Sequence, residues 1–466
     1  MKHYLSILLL LGLGITSCTT APKDAEVSEC IHTDPLIEVT TPQQPEWTKD
    51  ATIYEVNVRH HTPEGTFAAF TEDIPRIKEM GIDILWLMPV HPISVEKRKQ
   101  SADELGSPYS IHDYRAVNPD MGTIEDFDAM VAKAHELDMK LIIDWVPNHT
   151  GWDHAWITEH PEYYTKNEAG EIIDPLDPAT CASWGWTDVA DLNYDNMEMR
   201  QAMIDEMVYW IKDRNIDGFR CDVAHNVPSD FWDAAVQELH KVKDVFMLAE
   251  AEKASIAPAF DMSYGWGFHH LMKEVLEGEK PKEAFYESIQ QFDKDFGAAH
   301  YTMMFTTNHD ENAWAGPMIE RYGDACRALD VIAFTFSGMP LVYSGQEAGL
   351  DRRLEFFVKD TIDWKNYDLQ GFYTDLLKLK KANPALYNGQ YGADPEPLEI
   401  EGGEDLFAFT RKKEGNEVIV AVNFGEEGLF FESPVPADYT LQIGEVVEEG
   451  DLTGLDKYGY AVWTKN

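Results

Sequence analysis

Residues 217–250 read DGFRCDVAHNVPSDFWDAAVQELHKVKDVFMLAE, and this stretch decides the architecture. It opens on a short apolar run at 217–222 and closes on another at 245–250. Between them, 229–242 carries its apolar residues at helical spacing. Strand, helix, strand is the repeating unit of a parallel sheet. Strands buried on both faces read as unbroken apolar runs, so a charge at their ends stands out. Asp222 ends the first run and Glu250 the second.

The same rhythm extends in both directions. Runs at 51–58 (ATIYEVNV), 82–90 (IDILWLMPV), 140–146 (KLIIDWV), about 259–264 (AFDMSY), 302–307 (TMMFTT) and 340–343 (PLVY) predict six more strands. Helices are predicted over 67–80, 123–138, 196–214, 270–294 and 324–337, with another at 370–383. Alternation of this kind predicts an α/β fold, a (β/α)8 TIM barrel placed at 47–387. A doubly wound sheet is disfavoured because no Gly-rich phosphate loop follows an early strand. Residues 147–195 are too long for an ordinary loop and read as an inserted subdomain. After 388, short alternating segments (DLFAFTRK, EVIVAVNFG, YTLQIGE, YAVWTK) predict a C-terminal antiparallel β-sandwich domain, 388–466.

Composition removes several classes of function. With 38 Lys+Arg against 83 Asp+Glu the formal net charge is −45, which excludes a basic face for nucleic acid. It also disfavours polybasic docking on anionic lipid. At 44% hydrophobic and 12% aromatic, the chain is rich enough in apolar side chains to fold rather than stay disordered.

The N-terminus carries an address. Residues 1–18 read MKHYLSILLLLGLGITSC: a basic start, then an apolar run at 5–15 too short to span a bilayer. Ile15-Thr16-Ser17-Cys18 resembles the bacterial lipobox. We expect a signal peptide at 1–17, lipid on Cys18 and a tether at 18–46. That makes the chain an exported, membrane-anchored lipoprotein at the periplasmic face or cell surface. A plain secretory signal cut elsewhere is the alternative. Cys18, Cys30, Cys181, Cys221 and Cys326 show no CxxC spacing. Cys221 lies in an apolar stretch and reads as a small buried filler.

A barrel does its chemistry at the C-terminal ends of its strands. Asp144, Arg220, Asp222, Glu250, His309 and Asp310 stand at those ends, with His149 just beyond. Buried acids are costly without a reason, and a catalytic pair with a helper is one. A glycosidic oxygen leaves with a proton from a carboxylic acid, while a second carboxylate meets the oxocarbenium-like centre. Metal binding by the acids is the competing reading. Arg220 on the same face weakens it, since it would repel a cation and hold a carboxylate ionised.

These motifs carry a resemblance. DWVPNHT (144–150), GFRCD (218–222), the Glu of FMLAE (246–250) and FTTNHD (305–310), in that order, resemble the short motifs of the α-amylase family, glycoside hydrolase family 13. ADLNYDN (190–196) and SPYSIHDY (107–114) resemble further family stretches. The resemblance implies a retaining double displacement. Asp222 would be the nucleophile, Glu250 the acid and then the base, and Asp310 the group that binds the 2- and 3-hydroxyls. Arg220 would orient Asp222, His149 and His309 would hydrogen-bond the same sugar, Tyr109 would stack beneath it, and Asp144 would support the site. Glu252, one alternating position past Glu250, is the alternative acid.

The sequence also departs from the family. The Lys-His pair that often follows the nucleophile is replaced by His225 and Asn226. The family's calcium site would take Asn148 and Asp191 with a backbone carbonyl at Asn226; otherwise those side chains brace the insert. No cofactor is required for the chemistry. In some relatives Val at the Val223 position accompanies α-1,6 specificity; packing of a β-branched residue at a strand end is the plainer reading. Trp152, Trp184 and Trp186 read as core or lid, with stacking on sugar as the alternative. The expected function is hydrolysis of α-1,4-glucosidic bonds in starch-like glucans. The alternatives are α-1,6 cleavage or transglycosylation, and, from another class, a non-catalytic glucan-binding lipoprotein.

Overall fold

Eight parallel strands close into a barrel: β1 (Ile53–Val56), β2 (Ile84–Leu87), β3 (Lys140–Trp145), β4 (Gly218–Cys221), β5 (Phe246–Ala249), β6 (Met262–Tyr264), β7 (Tyr301–Met304) and β8 (Met339–Tyr343). Each strand neighbours the next, and β8 pairs with β1 to complete the ring. The doubly wound alternative is therefore excluded. The computed structural model describes residues 44–99, 104–178, 180–365, 367–400, 403–433 and 435–465. The expected signal peptide, Cys18, Cys30 and all but the last residues of the tether lie outside them. No helix among the described residues is long and apolar enough to cross a membrane.

Alternation along each strand builds two cores. Ile53, Ile84, Trp86, Ile142, Phe246, Leu248, Met262, Tyr301, Met303 and Leu341 point inward and pack on one another. Leu85, Leu87, Leu141, Ile143, Phe219, Cys221, Met247 and Val342 point outward against the helices. The inward columns are apolar low in the barrel and polar at the top, where Glu55, Asp144 and Arg220 are fully buried. Gly218 is needed where β4 meets β5: its φ is +149°, and a Cβ there would sit 1.9 Å from the Phe246 carbonyl oxygen.

Two predicted helices are divided. The 67–80 segment forms Phe67–Thr71 and Ile74–Met80, because Pro75 suits a first turn but not a helix interior. The 270–294 segment forms Trp266–Leu276 and Ala284–Phe296, separated at Gly278 (φ +72°) and Pro281. The insert holds a two-stranded antiparallel ribbon, His149–Gly151 with Val189–Asp191, and a short helix Trp156–Glu159. The C-terminal residues form a five-stranded and a three-stranded antiparallel sheet. Cys221 is buried and free, Cys326 is free, and Cys181 is disulfide-bonded.

Candidate active site

The cleft at the barrel mouth has a volume of about 410 Å³, and its walls include Tyr109, His149, Asp222, Glu250, His309 and Asp310. Strand register explains the convergence. Asp144 on β3 pairs with Arg220 on β4, and Asp222 and Glu250 each stand one residue past a strand end. Arg220 is fully buried and its guanidinium serves three acids. Nη1 donates to Asp144 Oδ1 at 2.8 Å and to Asp222 Oδ1 at 2.9 Å. Nη2 lies 3.0 Å from Glu250 Oε1 as an ion pair, but off the donor direction of a hydrogen bond. Glu250 Oε2 instead accepts the Val223 N–H at 2.8 Å.

The acids experience different fields. Burial, with Glu250 and Asp144 nearby, pushes the Asp222 carboxyl up, and Arg220 opposes it. Burial likewise raises Asp144 to about 6 against Arg220 and His309. Asp144 Oδ2 accepts from the Tyr109 hydroxyl at 3.2 Å, as befits a supporting residue. Burial lowers His149 to about 4, so it is a neutral ring near neutral pH.

His309 lies between two carboxylates. Nδ1 is 2.5 Å from Glu55 Oε1, and Nε2 is 3.2 Å from Asp310 Oδ2 and 2.8 Å from the Tyr109 hydroxyl. Burial works against its charge, but Asp310 and Glu55 outweigh burial and raise it to about 9. Burial also raises Glu55, so the two partners compete for one proton. The second carboxylate, Asp310, favours the charged ring.

Several readings change on contact with the structure. Val223 does not pack at a strand end: it adopts φ +41° in a turn and lines the cleft, a conformation rare for a β-branched residue. Glu252 is absent from the cleft walls and accepts the Gly267 N–H at 2.7 Å. Trp152 is buried in the insert, whereas Trp186 reaches the cleft and stacks on Trp184 at 5.6 Å. Tyr109 lies nearly parallel to His309 and Phe356. Glu55, Trp314, Phe356 and Phe357 escaped the sequence reading. Glu55 did leave a signal, a charge at an inward position of an otherwise apolar strand. The aromatic residues come from loops with no such period.

Asn148 and Asp191 sit together at the base of the ribbon, where the Leu192 N–H donates to the Asn148 carbonyl at 3.2 Å. Burial raises Asp191 to about 7; the Thr165 side chain opposes this and Asp174 adds like charge. No Lys, Arg or His pairs with Asp191 among the described residues. The Asn226 amide is buried with neither polar atom bonded. Asn148 and Asp191 offer oxygen donors of the kind that a hard cation such as calcium takes. No cluster of three or more His, Cys, Asp or Glu suited to a metal occurs among the described residues.

A closed barrel with paired carboxylates on one guanidinium, facing a third acid across an open cleft, defines a glycosidase of the TIM-barrel class. The family model for the alpha amylase catalytic domain matches residues 39–172 and 183–370. The chain is 29% identical over 442 residues to the alpha-amylase MalA of Haloarcula japonica, covering 88% of this chain and 61% of that protein's length. It superposes on the crystal structure of an alpha-amylase from Lactobacillus plantarum with a TM-score of 0.78 and 30% identity, over 90% of this chain and 99% of the other. For the maltogenic alpha-amylase AmyB of Thermotoga neapolitana the TM-score is 0.72 and the identity 27%, over 89% and 96%. The chain belongs to the α-amylase family, glycoside hydrolase family 13.

Proposed function

We propose that the protein hydrolyses α-1,4-glucosidic bonds of starch-like oligo- and polysaccharides with retention of configuration. The observation that carries the reading is the Arg220 guanidinium, which holds Asp222 and Glu250 side by side. Two acids drawn to one guanidinium favour a retaining pair, which needs its carboxyl groups about 5–5.5 Å apart, over an inverting pair, which needs about 6.5–9.5 Å to admit a water. Asp222 attacks the anomeric carbon while Glu250 gives its proton to the leaving oxygen. Water then loses a proton to Glu250 and displaces Asp222 from the opposite face, the one the leaving group vacated. Asp310 and His309 hold the ring hydroxyls, and His149 and Tyr109 complete the wall.

Glu250→Gln should abolish starch hydrolysis while leaving oligosaccharide binding; retained turnover would sink the assignment. Products from amylose, pullulan and isomaltose separate α-1,4 from α-1,6 cleavage and hydrolysis from transfer. Calcium bound through Asn148 and Asp191 would brace the insert against the barrel. Chelation should then lower the melting temperature, and Asp191→Asn should remove the difference. The lipobox-like run supports export with lipid on Cys18; Cys18→Ala should release the protein from membranes.

A further inference from the structure

We propose that Glu55 is a positioning residue that keeps His309 as an imidazolium, so that an acid buried beneath the substrate sets the charge of the ring that grips it. The binding part rests on the glucanase reading above; the charge of His309 does not.

Glu55 is fully buried, pointing inward from β1 at the polar top of the barrel. Its Oε1 meets His309 Nδ1, and its Oε2 has no hydrogen-bond partner. A buried carboxylate with a single partner is expensive unless that partner is charged. The opposite side of the ring gives the same answer. A neutral imidazole has one N–H and one lone pair. Here both nitrogens face carboxylates, Glu55 at Nδ1 and Asp310 at Nε2. With both carboxyl groups ionised, either neutral tautomer turns a lone pair toward an anion, whereas the imidazolium meets both.

The other groups facing the ring do not supply a competing anion at hydrogen-bond range. Tyr109, from the segment after β2, shares Nε2 through its hydroxyl. Asp144 on β3 bonds that same hydroxyl and acts on His309 from a distance. Arg220 on β4 opposes the charge. Trp86 on β2 meets the ring edge-on at 5.9 Å, and Phe356 lies parallel at 6.5 Å. Glu55 and Asp310 are the two anions in contact, and Glu55 is the one a sugar does not reach.

A His whose folded-state pKa is raised keeps its charge below that value and loses it as pH rises through it. Oligosaccharide binding by the Glu250→Gln variant, which has no acid at 250 to titrate, should therefore weaken near pH 9, where His309 titrates. Glu55→Gln keeps the size and an acceptor oxygen but removes the charge. It should move that weakening at least one pH unit toward neutral.

The direct test is an NMR titration of the labelled His309 ring in the Glu250→Gln background, which reads the ring without turnover. We expect a strongly raised pKa in that parent, a drop of one unit or more on adding Glu55→Gln, and partial recovery with Glu55→Asp. A parent ring titrating at the ordinary value of about 6.5, or a Glu55→Gln titration coinciding with the parent's, overturns the proposal. Failure of the wild-type enzyme to cut any α-glucan would instead overturn the functional reading and leave the titration standing.

Discussion

The indole N–H of Trp314 donates to Asp310 Oδ1 at 3.1 Å. The same indole is 58% exposed, so one residue both holds a carboxylate of the site and presents a bare aromatic face at its mouth. It is rigidly set. Phe356 lies against it at 5.2 Å, and Arg353 binds the carbonyls of Ala313, Trp314 and Ala315. Trp314→Phe keeps the plate and deletes the donor. A hydrogen bond to a charged group contributes about 1.5–3 kcal/mol, so kcat on maltooligosaccharides should fall about tenfold or more with KM little altered. Trp314→Ala, which also removes the plate, should raise KM as well. Unchanged kcat in the Phe variant would show that the bond does not matter to turnover.

Arg220→Lys should be far from conservative. A planar fork reaches Asp144, Asp222 and Glu250 together, and a single ammonium does not. Three acids then share less positive charge in a buried site. We expect kcat to drop at least about a hundredfold, or about 2.7 kcal/mol, with a lower melting temperature. Steady-state kinetics and a thermal melt on one preparation measure both; wild-type values would contradict the shared-guanidinium account.

Asp330, behind the β7 turn, gives a stability signature. Burial raises its carboxyl to about 7, while the Thr306 and Tyr373 hydroxyls oppose the rise. Unfolded, an Asp titrates near 3.9. The folded chain therefore keeps this proton over a window in which the unfolded chain has lost it. Its contribution is fully present below about pH 4 and declines as pH rises toward 7. Asp330→Asn cannot ionise. The melting temperature of wild type minus variant should be most favourable to wild type at pH 4 and shrink toward pH 7; a difference independent of pH would refute this.

Gly218→Ala should damage the barrel. The new Cβ would collide with the Phe246 carbonyl at 1.9 Å in a φ region alien to L-residues. A loss of at least about 2 kcal/mol is expected, visible in the denaturation midpoint. A variant as stable as wild type would mean that β4 and β5 can part without cost.

Much of the barrel is legible locally. Apolar runs and helical spacing mark all eight strands, and Gly278 and Pro281 mark the break missed within 270–294. Asp222 and Glu250 are legible because each closes an apolar run. Glu55 is harder to read, since it lies inside a run and its one signal is a charge at an inward position. Trp314 and Phe356 are harder still: their loops have no period, and their meeting depends on how the chain returns to the mouth.

By itself the sequence determined the parallel alternation, the strand-end acids and the excess of negative charge that argues against a nucleic-acid partner. Those properties follow from spacing along the chain, where side-chain direction repeats with the backbone. Only tertiary structure decided that Arg220 serves three carboxylates, that Val223 turns its N–H to Glu250, and that Glu55 and His309 meet across 254 residues. Barrel closure is the physical reason. It points the inward columns of β1, β3 and β4 and the turns after β4, β5 and β7 at one volume, where charges must balance one another because water does not.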